Sequence, residues 1–180
     1  MTEEQAMQDN SKLKLILGGS IASVLAAGVI GFLVYSSICP CDRTPGGFLF
    51  GDDSDGQVND WSFANDVELC QLQIYDGIRP HSINLNCMAT PEGEMYLSCS
   101  VCDTKYWAAR VGENERGVMR LDGVVYPVYL NRITDSATMD QAWQARVTKL
   151  QIHGGPGNPA PPTNAPRADR WWTFQVTSRG

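Results

Sequence analysis

The sequence predicts an α+β chain: one N-terminal membrane helix, then a small antiparallel β-barrel with helices outside it. Three observations carry this. A run without charge or proline covers Leu15 to Ile38. Alternating apolar positions and turn dipeptides mark strands between residues 68 and 133. A helical period from Asp135 to Leu150 precedes a last alternating stretch. At 180 residues the chain holds one ordinary domain, and 43% apolar with 19% charged residues excludes a disordered one. A net charge of -6 without any Lys/Arg block excludes an electrostatic nucleic-acid binder. Two histidines leave little for a histidine metal centre.

The uncharged run reaches about 36 Å as a helix, enough to cross a ~30 Å hydrocarbon core. It outlasts the apolar core of a cleaved signal peptide, roughly 7–15 residues. A bulky Ile38 before Cys39 argues against a lipoprotein cleavage site. The chain therefore divides into an N-terminal cytoplasmic segment (1–14), a transmembrane helix (15–38), a Gly/Asp-rich connector (39–59) and a barrel domain (60–180). Lys12 and Lys14 precede the span and only Arg43 follows closely. The positive-inside rule then places a single-pass protein in the inner (plasma) membrane, with its main domain periplasmic or otherwise extracytoplasmic. Gly19, Ser23, Ala27 and Gly31 recur every fourth residue. They form a small-residue face on which a second helix packs closely, from a second copy or another subunit.

Beyond the span, Trp61, Ala64 and Val67 at helical spacing predict a short helix over 60–67. Glu68 to Tyr75 reads as a strand, Asp76-Gly77 as a turn, and Ser82 to Met88 as the antiparallel partner. Glu92-Gly93 turns into a third strand from Glu94 to Val101. A helix is expected over 106–111. Val118 to Leu121 and Val124 to Ile133 form a second hairpin across Asp122-Gly123, where Pro127 marks an edge or a bulge. Thr134 or Asp135 caps the helix that carries Met139, Trp143, Val147 and Leu150 on one face. A Gly/Pro/Asn stretch (154–166) reads as a loop, and Trp171 to Thr177 as the last strand.

Short motifs run through this order: Arg79-Pro80-His81-Ser82-Ile83-Asn84, Gly93-Glu94-Met95-Tyr96-Leu97, Asp103-Thr104-Lys105, Asp122-Gly123-Val124-Val125-Tyr126 and Trp172-Thr173-Phe174-Gln175-Val176. Together they resemble the flavin-binding split-barrel family, the relatives of pyridoxamine phosphate oxidase and the deazaflavin-dependent reductases, over roughly residues 60–179. The resemblance implies a split barrel, a homodimer, and FMN or a related flavin at the dimer interface. Thr104 and Lys105 stand where a strand gives way to the expected helix. Free N–H groups, a hydroxyl and an ammonium there suit a phosphate. The family holds its flavin phosphate with a Ser/Thr-x-Lys-like segment here, which Thr104-Lys105, or Ser100 upstream, would supply, with Arg79 and Arg110 as helpers. His81, Ser82 and Asn84 would lie along the flavin ring. Lys105 equally fits a solvated lysine at a helix start, and His81 a turn residue without ligand.

Six cysteines are compatible with disulfides in an oxidising compartment. If Tyr75 faces Ser82, the same register sets Cys70 opposite Cys87, as a cross-strand bridge or as two buried thiols. Cys99 and Cys102 have CxxC spacing without a thioredoxin-like context. Cys39-Pro40-Cys41 is too tight for an easy internal bridge, and no CxxCH motif for a c-type haem is present. Two functions follow. One is a membrane-anchored FMN-dependent oxidoreductase, its chemistry supplied by the cofactor. The other is a non-catalytic accessory subunit that docks on a larger membrane protein complex through its helix and barrel. A redox protein working through Cys99 and Cys102 is a third.

Overall fold

The computed structural model describes residues 3–38, 40 and 44–180; Cys39, Cys41 and Arg43 lie outside the described residues. Helix α1 (Glu3–Ser37) forms one unit and the chain beyond it a second. Within α1, Ile16–Ser37 is a 22-residue stretch of mean hydropathy 2.1, long and apolar enough to cross a membrane. The hydroxyls of Ser20 and Ser23 donate to the carbonyls of Ile16 and Gly19, each at 2.9 Å. Both are thus satisfied inside the helix, as an apolar surrounding requires.

The second unit contains β1 (Asp52–Asp53), β2 (Cys70–Asp76), β3 (Arg79–Leu85), β4 (Cys87–Ala89), β5 (Met95–Cys99), β6 (Glu115–Leu121), β7 (Val124–Ile133), helix α2 (Ser136–His153) and β8 (Trp172–Ser178). The sheet runs β3-β2-β6-β7-β8-β5-β4, antiparallel throughout, and β1 adds parallel to β7. Its two edge strands, β3 and β4, are separated by the single residue Asn86. The chain itself therefore joins the opposite edges, which curls the sheet into a split barrel. A disulfide between Cys70 and Cys87 crosses this seam with a Cα separation of 5.8 Å.

Period-two alternation fills the barrel: Leu72, Ile74, Met95, Leu97, Met119, Leu121, Val128, Leu130, Phe174 and Val176 are all buried in one cluster. The opposite face of β4 and β5 presents Met88 and Tyr96 to Ala142 and Ala145 of α2. Asp135 caps α2, its carboxylate accepting from the Thr138 N–H at 2.8 Å. Trp143 and Arg146 of α2 reach into the proline-rich loop. Trp143 Nε1 donates to the Ala165 carbonyl at 2.7 Å, and Arg146 lies over the Trp171 ring.

Several local expectations are corrected. The helices expected over 60–67 and 106–111 are 3-10 turns, Ser62–Asn65 in the first place, Cys102–Thr104 and Ala108–Arg110 around the second. No side chain caps any of them, and segments this short do not repay helix nucleation. The first hairpin turns on Gly77-Ile78, with Gly77 at φ +61°, so Tyr75 pairs with Pro80 and not with Ser82. Cys70 consequently pairs with Leu85, and Cys87 lies two residues further on, past the kink at Asn86. Pro127 lies on an inner strand. Its carbonyl accepts from Arg179 N–H at 2.9 Å on the side where β8 has ended and β1 has not begun, so its missing N–H interrupts no ladder.

Residues 44–55 cross the outside of the barrel as a strap. Gly46 exchanges two backbone hydrogen bonds with Ser82 of β3, Leu49 N–H donates to Gln73 Oε1, and β1 pairs with β7.

Candidate functional site

Directly paired residues of an antiparallel ladder share a face, and this sorts the first hairpin. His81 pairs with Ile74 and Ile83 with Leu72, on the core-facing side. Ser82 pairs with Gln73 and Asn84 with Gln71, so these four polar side chains line the outer face. His81 and Ser82, adjacent in sequence, therefore lie on opposite sides of the sheet.

On the inner side, at the hairpin end of the barrel, His81 is 5% exposed and stacks on Tyr106 with ring centroids 4.6 Å apart. Arg110 covers the Tyr106 ring at 3.4 Å. Asp76 ties the stack together: it accepts from the Tyr106 hydroxyl and lies 3.4 Å from Arg110 Nε. The Tyr106 and Arg110 hydrogen bonds hold the Asp76 carboxyl below the usual carboxylate range, and the same contact with Asp76 raises the Tyr106 hydroxyl. Burial, then Arg79 and Arg110, lowers the His81 imidazole below its ordinary value. Its Nδ1 has no hydrogen-bond partner among the described residues.

On the outer side the strap occupies what the hairpin offers. Ser82 is fully buried with both its backbone groups bonded to Gly46. Asn84 accepts from Gln71 Nε2 at 3.0 Å and donates to the Pro40 carbonyl at 3.4 Å. Arg120 of β6 donates to the Phe50 carbonyl at 2.8 Å.

Thr104 and Lys105 end a 3-10 turn where a helix start was expected. The Thr104 hydroxyl and N–H both donate to the Val101 carbonyl, and the Lys105 N–H donates to Cys102. These backbone donors are engaged within the turn. Within one copy of the chain, the six residues named for a flavin are not brought to one place. His81 faces the core, Ser82 and Asn84 lie beneath the strap, and the Thr104 donors point back into their own turn. Of the six residues, Arg79, Thr104 and Lys105 are exposed on the surface.

Asp76 and Tyr106 were not among the expected site residues. The signal for part of the stack was present: Tyr106 and Arg110 are four apart, the spacing at which one turn sets a cation over a ring. Lys149 was also unforeseen. It is 2% exposed, and its ammonium donates to the carbonyls of Ala64 (2.7 Å) and Cys87 (2.6 Å) and lies 3.6 Å from Cys87 Sγ. Burial pulls it down to about 8. Elsewhere, a groove of about 570 Å³ runs between α2 and the β4–β5 turn, lined by Asn65, Ala89, Glu92, Gln144, Ala145 and Thr148 among others.

No protein-family profile and no curated protein matches the chain. Among solved structures it is similar to a candidate pyridoxamine 5'-phosphate oxidase from Listeria innocua, with 10% identity, 66% of this chain and 89% of that one covered, and a TM-score of 0.46. A NimC/NimA family protein from Clostridium acetobutylicum gives 13%, 65%, 78% and 0.45 for the same quantities. The FAD-binding protein from Mycobacterium smegmatis gives 11%, 66%, 90% and 0.42. The likeness is one of fold outline and assigns no residue of this chain.

Proposed function

We propose that the chain is a membrane-anchored, extracytoplasmic split-barrel subunit that docks on a larger membrane protein complex without a cofactor of its own. The observation that supports this most is the strap. Residues 44–55 and Pro40 engage Gln71, Gln73, Ser82, Asn84 and Arg120, so the outer face of β2, β3 and β6 is committed to the protein's own chain. The apolar stretch of α1 serves as the anchor, and the positive charges before it favour an N-terminus in the cytoplasm. Gly19, Ser23, Ala27 and Gly31 provide a close-packing face for a helix of the complex. Because the Ser23 hydroxyl donates to Gly19, its hydrogen is not available to a neighbouring helix. In the domain beyond the helix, the groove beside α2 is a concave surface open to a partner.

The competing reading is an FMN-dependent oxidoreductase with flavin held between two copies. It draws on the aromatic and basic cluster of Arg79, His81, Tyr106 and Arg110, and on the unpartnered His81 Nδ1. One preparation separates the two. The protein purified in mild detergent should be colourless and should migrate with a large assembly, and Gly19→Leu with Gly31→Leu should release it from that assembly. Stoichiometric flavin absorbance, lost on Arg110→Ala, would overturn the docking reading.

A further inference from the structure

The two disulfides close very different loops. Cys70–Cys87 lies in the barrel wall, both residues fully buried, and joins positions 17 apart in sequence. Cys99–Cys102 joins positions three apart, where β5 leaves the sheet. A link over so short a loop removes little freedom from the unfolded chain, so stabilisation gives it only a weak purpose.

The members of the second pair are also unequal. Cys102 is 1% exposed, whereas Cys99 is half-buried and followed by half-buried Ser100 and by Val101, 46% exposed. Cys99 is held by its ladder pairing with Trp172 of β8. Beyond Cys102 the chain leaves the sheet and runs to Val111 in two short 3-10 turns. One cysteine is therefore fixed in the ladder and half-buried beside the core, and the other sits on a segment free of ladder bonds. A bond that is not fully buried at both ends is more open to thiol exchange than one that is.

We propose that Cys99 and Cys102 form a reversible dithiol–disulfide pair that exchanges with the thiols of proteins or peptides, with Cys99 as the sulfur attacked. In the oxidising direction a substrate thiolate attacks Cys99 Sγ. The Cys99–Cys102 bond breaks, and its electron pair leaves on Cys102 Sγ, which takes a proton. The substrate's second thiolate then attacks its own sulfur in the mixed disulfide, closing the substrate disulfide and expelling Cys99 as a thiolate that is protonated in turn. Two electrons and two protons pass from the substrate dithiol to the protein, and no other oxidant enters.

The exchange stands independently of the docking reading and of the flavin one. To test it, the full chain in detergent is equilibrated with glutathione and glutathione disulfide over a wide range of ratios. Free thiols are then alkylated after an acid quench and located by peptide mass spectrometry. Cys99 and Cys102 should pass together from alkylated to bonded within that range, while Cys70 and Cys87 stay bonded throughout. The oxidised protein should also convert a small dithiol peptide to its disulfide mole for mole. Cys102→Ser should trap glutathione on Cys99, and Cys99→Ser should leave Cys102 unmodified. A Cys99–Cys102 bond that persists at every ratio, or equal glutathione capture by the two variants, overturns the proposal. The titration of the unmutated protein decides the matter even if a variant fails to fold.

Discussion

His81 and Lys149 are buried bases, and burial lowers both because a low-dielectric surrounding disfavours the charged form. For His81 the ordinary value is 6.5 and the folded one lies below it. As pH falls through 6.5 the unfolded chain takes up a proton that the native chain refuses, so stability is lost on the acid side until the folded value is passed. His81→Phe keeps a ring against Tyr106 and removes this step. Urea unfolding from about pH 7 to about pH 5 should show the unmutated protein losing stability relative to the variant, by at most about 1.4 kcal/mol per pH unit. Parallel curves would mean that the fold does not disfavour protonation of His81. Lys149 has the same sign at the other end of the scale. Between the folded value of about 8 and the ordinary 10.5, the unfolded chain holds a proton that the native one releases. Stability contributed by this group therefore rises with pH across that window. Compared with Lys149→Met, the unmutated protein should gain as pH is raised above about 8, again by no more than about 1.4 kcal/mol per unit. No relative gain by about pH 10 would show that the ammonium is solvated after all.

At the scale of elements, what was legible had a local cause. The β6–β7 hairpin follows from Asp122-Gly123, whose φ values of +46° and +85° make the tight turn that this dipeptide favours. α2 follows from its Asp135 cap and its recurring Trp143, Val147 and Leu150. What was illegible depended on contacts far along the chain. The two-residue slip of the first hairpin keeps every side chain on its face, so alternation alone does not detect it. The burial of Lys149 requires Ala64 and Cys87, distant in sequence, to turn their carbonyls toward it. The role of the strap shows in its long-range contacts, among them its crossing of the β6–β7 turn. Asp52 N–H donates to the Gly123 carbonyl at 3.0 Å, and a Cβ on Gly51 would collide with that same carbonyl. Gly51→Ala should therefore lift β1 from β7 at a cost of about 1–3 kcal/mol. It should also speed hydrogen exchange at Leu49 and Ser82, which the strap protects. Unchanged exchange at those amides would show that the strap is not held at this crossing.

For the whole molecule, the proposed topology and the stability of the barrel are one question, because the compartment in which the barrel folds decides whether its seam carries a cross-link. β3 and β4 meet through Asn86 alone, and the bridge from Cys70 to Cys87 is the covalent link across that junction. Thiols are kept reduced in the cytosol and oxidised outside it. An anchor that delivers the barrel outward therefore also delivers its cross-link, which over a separation of 17 residues is worth about 3 kcal/mol. The proposed orientation rests on Lys12 and Lys14 against Arg43. Changing both lysines to Glu and adding lysines after the helix should invert it, since the flanking positive charges set the direction of insertion. In cells, the unmutated protein should then show Cys70 and Cys87 protected from alkylation, and the inverted variant should show them reactive once denatured. The inverted barrel should also unfold at lower urea, by an amount matching the missing cross-link. If the thiols are free in the unmutated protein, the barrel faces the cytoplasm. Both the extracytoplasmic assignment and the stabilising role of the bridge would then fall together.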